Sequence, residues 1–233
     1  MTPIRPQHGD VGRLIVNGIE LIAEPSGVLW WPATATLIVA DLHFEKGSSF
    51  ARRGVHLPPY DTAATLARLA AAIGPKIRRI ICLGDSFHDG KGPASLSFDD
   101  AMALARLVNT HEWIWLTGNH DTALPRSLGG QIVTDALRLN GLTFQHQAGD
   151  TPVGEVSGHY HPKSHIDVQG RRLSGMCFIH DERRIILPSF GAYTGGLHID
   201  SPPIRALFPT RYRVDLMIRG RLVRREFVPQ IAS

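Results

Sequence analysis

Three short apolar runs separated by helical patterns constrain the fold more than any other feature of the sequence. The runs cover residues 36–40, 79–83 and 113–116 and are almost entirely apolar, as in strands that are buried on both faces of a sheet. Between them, residues 61–73 and 97–108 carry apolar side chains at helical spacing. Buried strands joined by helices form parallel sheets with right-handed connections. We therefore predict an α/β fold with its functional crevice at the carboxyl ends of these strands.

The boundaries of the helices carry their own signals. Asp61 is predicted to be the N-cap of the first helix, which Gly74-Pro75 stops. Ser97 and Asp100 have the spacing of a capping pair ahead of the second helix. Residues 44–60, between the first apolar run and the first helix, predict a loop with a short basic helical patch that includes Lys46.

The chain on either side of this unit is rich in strand patterns. Residues 13–24 alternate around Asn17-Gly18, which predicts a hairpin. After residue 127 the sequence changes to short alternating strands, beginning with residues 132–139, and shows no convincing helix. We expect these strands to form a mainly antiparallel sheet that packs against the first sheet, with helices outside. Because no linker or internal repeat divides the chain, residues 1–233 are predicted to form one domain.

Several bulk properties restrict where the protein can work. No apolar run approaches the roughly 20 residues that span a bilayer, so no membrane partner is expected. Residues 1–10 lack the apolar core of a signal peptide. The chain has two cysteines, Cys82 and Cys177, which is too few for a disulfide framework. These features predict a cytoplasmic location.

The positive charge of the chain is concentrated in its last third. Residues 1–160 contain 13 basic and 15 acidic residues, whereas residues 161–233 contain 12 and 6. An arginine-rich face suits a polyanion such as nucleic acid; charge alone favours a solvated basic surface. The arginines that contribute most are Arg171, Arg172, Arg183, Arg184, Arg219, Arg221, Arg224 and Arg225.

Acids, amides and histidines follow directly after apolar runs at several places in the chain. These residues are Asp41, His43, Asp85, Asn119, His120, His146, His159 and His161. In Asp41-x-His43 and His159-x-His161, strand-like alternation would point both side chains the same way. Oxygen and imidazole ligands without thiolates suit Mn²⁺, Fe or Zn²⁺. These side chains are more than one tetrahedral site needs, so we predict two ions, roughly 3.5–4 Å apart, that share a carboxylate.

Each cluster has a simpler interpretation when it is taken alone. Asp-x-His and Gly-Asn-His-Asp are common in tight turns, and His146 on a strand could be a hydrogen-bonded core histidine. The clusters lie independently at predicted strand ends, however, and this agreement favours a metal centre over coincidence.

The ordered set of motifs resembles the calcineurin-like metallophosphoesterases. The motifs are Asp41-x-His43, Gly84-Asp85-x-x-His88, Gly118-Asn119-His120-Asp121, His146 and Gly158-His159-x-His161. The resemblance implies a four-layer α-β-β-α sandwich with mixed sheets and a dinuclear centre at the strand ends. It agrees with the α/β fold and the metal site expected from the residues themselves.

The resemblance also implies a role for each site residue. Asp41, His43 and His161 would bind the first metal, Asn119, His146 and His159 would bind the second, and Asp85 would bridge them. The cofactors would be two divalent ions, with Mn²⁺ favoured and Fe or Zn²⁺ as alternatives, which acidify a water for in-line attack on phosphorus. His120 would stabilise the developing charge or protonate the leaving oxygen, and Asp121 would orient its ring. His88 resembles a histidine of the nuclease branch; an ordinary surface-loop histidine is an equal alternative.

Other segments are similar to the bacterial DNA-ligase-associated phosphoesterases. These segments are residues 1–31, 41–47 and 187–196. The similarity implies a phosphodiester substrate, DNA in particular, and a role in the DNA damage response. The partners it implies are a DNA ligase, an Lhr-type helicase and an exonuclease-like protein. The glycine-rich stretch 191–196 would border the substrate pocket or form a plain turn.

We therefore expect a two-metal phosphodiesterase that acts as a DNA endonuclease. The same centre could instead hydrolyse phosphomonoesters or nucleotide pyrophosphates on small substrates, since two metals and an activated water serve all these reactions. A non-catalytic binding scaffold is a third interpretation, which the complete ligand set argues against.

Overall fold

The computed structural model describes residues 12–55, 60–150 and 153–228. Strands in the first half are β1 (Arg13–Val16), β2 (Ile19–Ala23), β3 (Leu29–Trp31), β4 (Thr36–Val39), β5 (Arg79–Leu83), β6 (Glu112–Leu116) and β7 (Gln131–Val133). Those in the second half are β8 (Leu137–Leu139), β9 (Leu142–Phe144), β10 (Glu155–Ser157), β11 (Lys163–Val168), β12 (Arg171–His180), β13 (Arg184–Ile186), β14 (Tyr212–Ile218) and β15 (Arg221–Phe227). The helices are α1 (Lys46–Ala51), α2 (Asp61–Ala72), α3 (Gly92–Ser95), α4 (Phe98–Thr110) and α5 (Pro202–Leu207).

The three apolar runs form the parallel centre of the first sheet, as predicted. The strand order is β1-β2-β3-β4-β5-β6-β7, and the pairs from β4 to β7 are parallel. In this register Ile38 lies opposite Ile81, which lies opposite Ile114. The predicted hairpin around Asn17-Gly18 is also confirmed, since β1 and β2 pair antiparallel. The carboxyl ends of β4, β5 and β6 therefore lie side by side at one edge.

The second sheet is mainly antiparallel, as predicted, with two parallel pairs among its strands. Its order is β15-β14-β12-β13-β10-β9-β8, with β11 paired to β12. The β9–β10 and β10–β13 pairs are parallel, which brings the carboxyl ends of β9 and β10 to one edge. The expected single strand over residues 132–139 is wrong, because β7 joins the first sheet and β8 joins the second.

The two sheets stack face to face with helices outside, so the predicted α-β-β-α order is confirmed. Ile38, Ile81 and Ile114 of the first sheet share a buried core with Val156 and Phe178 of the second. The outer face of the first sheet buries α2 and α4. The outer face of the second sheet packs against the short helix α5. The sequence showed no helix after residue 127, because six residues are too short for a periodic signal.

The predicted capping signals behave differently at the two main helices. Ser97 Oγ accepts a hydrogen bond from the Asp100 backbone N–H at the start of α4, as expected. Asp61 is the first residue of α2 rather than its N-cap, and its carboxylate accepts a hydrogen bond from the Gly47 N–H in α1 instead. Asp61 therefore ties α1 to α2, a long-range contact that no local pattern shows.

Within the described residues, the longest helices fall short of what crossing a membrane would require.

Candidate metal centre

The carboxyl ends of the parallel strands bring the predicted metal ligands into two groups. Asp41, His43 and His161 form one group, with one potential ligand atom from each residue within 4.8 Å of the others. Asp85, His146 and His159 form the second group by the same measure. Asn119 joins the second group, because its Oδ1 lies 3.0 Å from His146 Nε2. The seven side chains come from five segments of the chain.

The contacts within the second group call for a shared cation. Leu83 O lies 2.9 Å from His146 Nδ1 and accepts its proton, so Nε2 is the ring nitrogen that faces the centre. Three further atoms lie close to this Nε2: Asn119 Oδ1 at 3.0 Å, His159 Nδ1 at 3.1 Å and Asp85 Oδ2 at 3.3 Å. Nε2 carries at most one proton, so it can donate a hydrogen bond in only one of these three contacts. A divalent cation would make all of them favourable.

The first group has the same character. His161 Nε2 lies 3.2 Å from Asp41 Oδ1 and 3.4 Å from His43 Nε2. Asp41 is fully buried, and its Oδ1 has no hydrogen-bond partner. Ligands about 2.1 Å from an ion would lie about 3.0 Å apart in octahedral and about 3.4 Å apart in tetrahedral geometry. The residues present therefore fit a metal in both groups, and their oxygen and imidazole donors fit Mn²⁺, Fe or Zn²⁺.

Five of the seven ligand candidates have a left-handed backbone. Their φ angles are 54° at Asp41, 45° at His43, 46° at Asp85, 71° at His159 and 46° at His161. This conformation costs on the order of 1 kcal/mol for each residue with a Cβ, and such strain concentrates at functional sites. Asp41 and His43 are therefore not aligned by strand-like alternation, as the sequence suggested, since they lie beyond β4 in a strained turn.

Two glycines permit the close approach of the loops. A Cβ at Gly118 would lie 2.1 Å from Asp85 Oδ1 and 2.4 Å from its backbone N. A Cβ at Gly84, whose φ is +76°, would lie 2.5 Å from His146 Nδ1. Both positions need a residue without a side chain because a ligand of the centre occupies that space.

The electrostatics of Asp85 and His146 favour positive charge between the two groups. Burial would raise the pKa of Asp85, but the hydrogen bond and charge of His146 and the backbone N–H of His120 lower it to about 2. Burial would lower the pKa of His146, but its contact with Asp85 and the charges of Asp41 and Asp85 raise it to about 9. The carboxylates therefore stabilise positive charge between the two ligand groups, and a divalent ion supplies such charge.

Two other histidines of the centre, His43 and His159, are held neutral. Burial lowers the pKa of His43 to about 3, despite the opposing charge of Asp41. Burial also lowers the pKa of His159, with a further contribution from His146. Neutral imidazole is the form that binds metal ions, so both side chains are in the state that a metal centre requires.

His120 and His88 lie together beside the first group. Their rings stack with centroids 5.1 Å apart, and the His120 ring contacts His43 edge-on at 5.2 Å. His120 Nδ1 lies 2.9 Å from His88 O, which therefore accepts its proton, and His120 is exposed. Burial, followed by the charges of Lys46 and His120, lowers the pKa of His88 to about 4. His88, for which the sequence left two interpretations open, is thus a member of the histidine cluster.

Asp121 does not orient His120 as predicted. Its two oxygens accept hydrogen bonds from the backbone N–H groups of Asp85, Phe87 and Gly118, at 3.1, 3.1 and 2.8 Å. Its side chain is fully buried. Burial raises the pKa of Asp121 to about 6, against these backbone donors. Asp121 holds the loops after β5 and β6 together, and the carbonyl of His88 takes the expected place beside the His120 ring.

The glycine-rich stretch 191–196 runs alongside the ligand segments. Gly191 N donates to Asp41 O at 3.0 Å, and a Cβ at Gly196 would lie 2.1 Å from His161 O. The carbonyls of Tyr193 and Thr194 contact the ammonium groups of Lys46 and Lys163, respectively. The loop therefore borders the centre, one of the two alternatives from the sequence. Sequence analysis gave Lys163 no role, although it lies only two positions after His161.

Most of the C-terminal arginines have partners within the second sheet. Arg224 makes a two-pronged contact with buried Asp215, at 2.6 and 2.7 Å. Arg184 is itself buried, 3.5 Å from Glu155. Arg183 pairs with Asp181, Arg172 pairs with Asp167, and Arg225 donates to the carbonyl of His165. These arginines are bound to groups of the protein itself, so their number alone is not an argument for a polyanion.

The fold and the donor set define a metal-dependent phosphoesterase, a hydrolase that uses divalent metals. The family model described as calcineurin-like phosphoesterase matches residues 35–220. This range is more than half of the chain, so the protein belongs to the calcineurin-like phosphoesterase family. The resemblance drawn from the sequence motifs is confirmed at the level of the family.

Among solved structures, the chain is similar to the nuclease MPE of Pseudomonas putida. The two share 28% sequence identity over 91% of this chain and 98% of that chain, with a TM-score of 0.69. A Vps29 complexed with Zn²⁺ from Entamoeba histolytica shares 14% identity over 83% and 98% of the two chains, with a TM-score of 0.35. That second likeness is too weak to carry an argument. No curated protein matches the chain.

Proposed function

We propose that this phosphoesterase hydrolyses phosphodiester bonds and acts on DNA as an endonuclease. The observation that carries the proposal is the complete pair of ligand groups at the strand ends. The similarity to a nuclease over 91% of the chain supports a nucleic-acid substrate. We further propose that Mn²⁺ is the preferred ion and that residues 1–233 work as one domain.

In this proposal Asp41, His43 and His161 hold one ion, and Asn119, His146 and His159 hold the other. Asp85 would bridge the two ions: its Oδ2 lies 3.3 Å from His146 Nε2, and its carbonyl accepts a hydrogen bond from the His43 N–H. When bound, the two ions supply Lewis-acid activation of a water and of the phosphoryl oxygens. The chain contributes orientation: Leu83 O holds the His146 proton on Nδ1, which keeps Nε2 directed at the centre.

His120 is the residue proposed to act on the substrate itself. Because its Nδ1 proton is bound by His88 O, its Nε2 is the atom available to the phosphoryl group. A protonated Nε2 can donate a hydrogen bond to the charge that develops in the transition state or pass a proton to the leaving oxygen. His88 stacks against this ring and limits its rotation. In this proposal Asp121 acts indirectly, by holding the loops after β5 and β6 in position.

A substrate panel tests the proposal. Protein stripped with a chelator and reloaded with Mn²⁺, Mg²⁺ or Zn²⁺ would be assayed on bis(4-nitrophenyl) phosphate, 4-nitrophenyl phosphate, and circular single- and double-stranded DNA. We expect the highest rates with Mn²⁺, a preference for the diester over the monoester, and incision of circular DNA, which has no ends. The Asp85→Asn variant, prepared in the same way, controls for contaminating nucleases.

Three outcomes would contradict the proposal. A strong preference for the monoester, or for a nucleoside pyrophosphate added to the panel, would favour the alternative enzymatic function. Full activity in the Asp85→Asn variant would show that the two ligand groups are not the catalytic centre. Tight DNA binding without hydrolysis under every metal would favour the non-catalytic scaffold.

The cellular role is a further part of the proposal. The resemblance to the DNA-ligase-associated phosphoesterases supports action in the cytoplasm during DNA repair, together with a DNA ligase, an Lhr-type helicase and an exonuclease-like protein. Recovery of these proteins with an affinity-tagged copy expressed at its native level, but not with an unrelated tagged protein, would support this role. Their absence from the recovered material would leave the chemistry intact and remove the proposed partners.

A further inference from the structure

We propose that Lys46 and Lys163 form a second phosphate-binding site beside the metal centre. The site would hold a phosphate next to the one that is hydrolysed, and so would select polynucleotides over small phosphodiesters. This inference rests on the proposed function, since it names the feature of the substrate that the same site would recognise.

Lysine is rare in this chain, and two of the four lysines contact the same loop. The chain contains 25 basic residues, of which only Lys46, Lys76, Lys91 and Lys163 are lysines. Two of the four contact consecutive carbonyls of one loop: Lys46 Nζ lies 2.8 Å from Tyr193 O, and Lys163 Nζ lies 3.5 Å from Thr194 O. These lysines come from α1 and β11, which are more than a hundred residues apart in sequence. The fold therefore brings them together.

Both lysines lie next to residues of the metal centre or of the His88–His120 pair. Lys46 Nζ is 5.8 Å from the ring centroid of Phe50, whose ring lies against His88 at 5.6 Å. Lys163 follows the ligand His161 by two positions, and a Cβ at Gly196 would touch both residues, 2.1 Å from His161 O and 3.0 Å from Lys163 Cε. A phosphate held by these ammonium groups would therefore be a close neighbour of a phosphate at the metals.

Several hydrogen bonds fix the loop of residues 191–196, which contacts both lysines. Thr194 is buried, and its Oγ1 lies 2.6 Å from Ser189 Oγ and donates to Gly191 O. Ala192 N donates to Thr65 Oγ1 of α2 at 3.1 Å. The two carbonyls that hold the lysines are thus fixed in position. Preorganised side chains lose less entropy when a ligand binds.

The charges around the pair favour an anion. Two ammonium groups that contact consecutive carbonyls of one loop repel each other, and an anion between them removes this repulsion. The charge of Asp61 acts on Lys46, but the Asp61 carboxylate is buried and accepts a hydrogen bond from the Gly47 N–H. Each ammonium has three donors, and the loop carbonyl uses one of them. Lysine is a compact point charge that suits a phosphate with free oxygens.

Arg52 and the C-terminal arginines do not compete for this role. Arg52 is engaged by Asp89 at 2.5 Å and by Ser95 at 3.2 Å. Arg184 and Arg224 are held by Glu155 and Asp215 in the second sheet. The two cationic groups proposed for this site are therefore Lys46 of α1 and Lys163 of β11, and not the arginines of the C-terminal third that the sequence had suggested.

Two pairs of chromogenic substrates isolate the effect of one additional phosphate. The 4-nitrophenyl ester of thymidine 5′-phosphate would be compared with the same compound carrying a 3′-phosphate, and thymidine 3′-(4-nitrophenyl phosphate) would be compared with and without a 5′-phosphate. The measured quantity is the ratio of kcat/KM with and without the extra phosphate. We expect a ratio of about ten or more for one of the two pairs, the effect of one charge-assisted hydrogen bond.

Removal of the charges should abolish this ratio. In the Lys46→Met/Lys163→Met double variant the ratio should fall to about one, whatever happens to the rate on the smaller substrate. The Lys46→Arg/Lys163→Arg variant keeps both charges and should recover a ratio above one. Lys76→Met, which removes an exposed lysine at the opposite end of β5, is the matched control and should leave both rates unchanged.

The failure of this inference and the failure of the proposed function are distinguishable. If the protein hydrolyses neither diester with any metal, the proposed function fails. If it hydrolyses the diesters but the extra phosphate gives no gain, or if the gain persists in the Lys46→Met/Lys163→Met variant, the two lysines only support the loop. In that case the proposed function stands without the second site.

Discussion

His146 is the residue around which the second ligand group is assembled. One ring nitrogen is bound to the carbonyl of Leu83, and the other faces Asn119, His159 and Asp85 within 3.3 Å. The sequence made all three neighbours candidates, because each follows an apolar run, and the family resemblance implied their grouping with His146. It did not predict the contact with Leu83, since a backbone carbonyl carries no sequence signal.

The first prediction concerns His120. His120→Ala should lower kcat on bis(4-nitrophenyl) phosphate by about 10²- to 10⁴-fold, the usual contribution of a general acid. The metal content, measured by atomic emission, should not change, because the ring is hydrogen-bonded to the carbonyl of His88. His111→Ala, at the far end of β6, is the control and should retain full activity. A parallel loss of metal and activity would instead make His120 a ligand.

The second prediction separates two roles for Asp121. Asp121→Asn should lower the free energy of unfolding by about 3 kcal/mol, because an amide cannot accept all three buried backbone N–H groups that Asp121 binds. Denaturant unfolding at pH 7.5 measures the change. If Asp121 instead controlled the tautomer of His120, the pH profile of kcat would shift while stability stayed the same.

At the scale of secondary-structure elements, the site depends on how the strands end. The parallel order of β4, β5 and β6 follows from the apolar runs and the helices between them, and it places three loops at one edge. Within those loops the backbone turns through left-handed residues such as Asp41, His43 and Asp85. Left-handed residues interrupt the alternation of a strand, which is why the expected strand-like alignment of these ligands is wrong.

The third prediction tests the contact between two of these loops. Gly118→Ala should lower the stability by about 1–3 kcal/mol, since the new methyl group would overlap the Asp85 carboxylate. Titration calorimetry with Mn²⁺ should show weaker binding, because Asp85 must move. Gly90→Ala, at a position with open space around its Cβ, should change neither quantity. Normal metal binding by Gly118→Ala would show that the loops can separate without cost to the centre.

At the scale of the whole molecule, the second sheet carries a buried network of charges. His180 Nε2 lies 3.5 Å from Asp215 Oδ2, and Asp215 is bound by Arg224. Burial lowers the pKa of His180, reinforced by the charges of Arg224 and Arg213 and opposed by Asp215. The pKa of Asp215 is lowered by Arg224 and His180 in spite of its burial. His180 is therefore neutral in the folded protein.

The fourth prediction follows from this lowered pKa. Between the ordinary pKa of histidine, about 6.5, and its lower value in the fold, the unfolded chain binds more protons, so stability rises with pH. His180 thus contributes stability above about pH 6.5 that is lost as the pH falls. His180→Gln should remove this part of the pH dependence, on the order of 1 kcal/mol.

The measurement is urea unfolding in chelator at several values from pH 5 to pH 8, which excludes effects of metal binding. His198→Gln, at a partly exposed histidine, provides the control and should keep the pH dependence of the unchanged protein. An identical slope in the unchanged protein and the His180→Gln variant would show that His180 does not titrate on unfolding.

The sequence by itself determined the fold class, the parallel order of the central strands and the set of residues at the strand ends. Apolar runs, helical spacing and capping residues are local patterns that can be identified in a sequence. An Asp or His directly after an apolar run is predicted to lie at the edge of the sheet where that strand ends. The family followed from the order of these motifs, and the match over residues 35–220 agrees with it.

The tertiary structure alone decided which groups meet across the loops. The Asp121 carboxylate accepts hydrogen bonds from three backbone N–H groups, and the His88 ring stacks on His120. Lys46 and Lys163 contact the carbonyls of Tyr193 and Thr194 in one loop. The tertiary structure also directed Arg184 and Arg224 to buried acids rather than to a binding face. These contacts join residues far apart in the chain through irregular backbone, where side-chain direction has no period that a sequence could reveal.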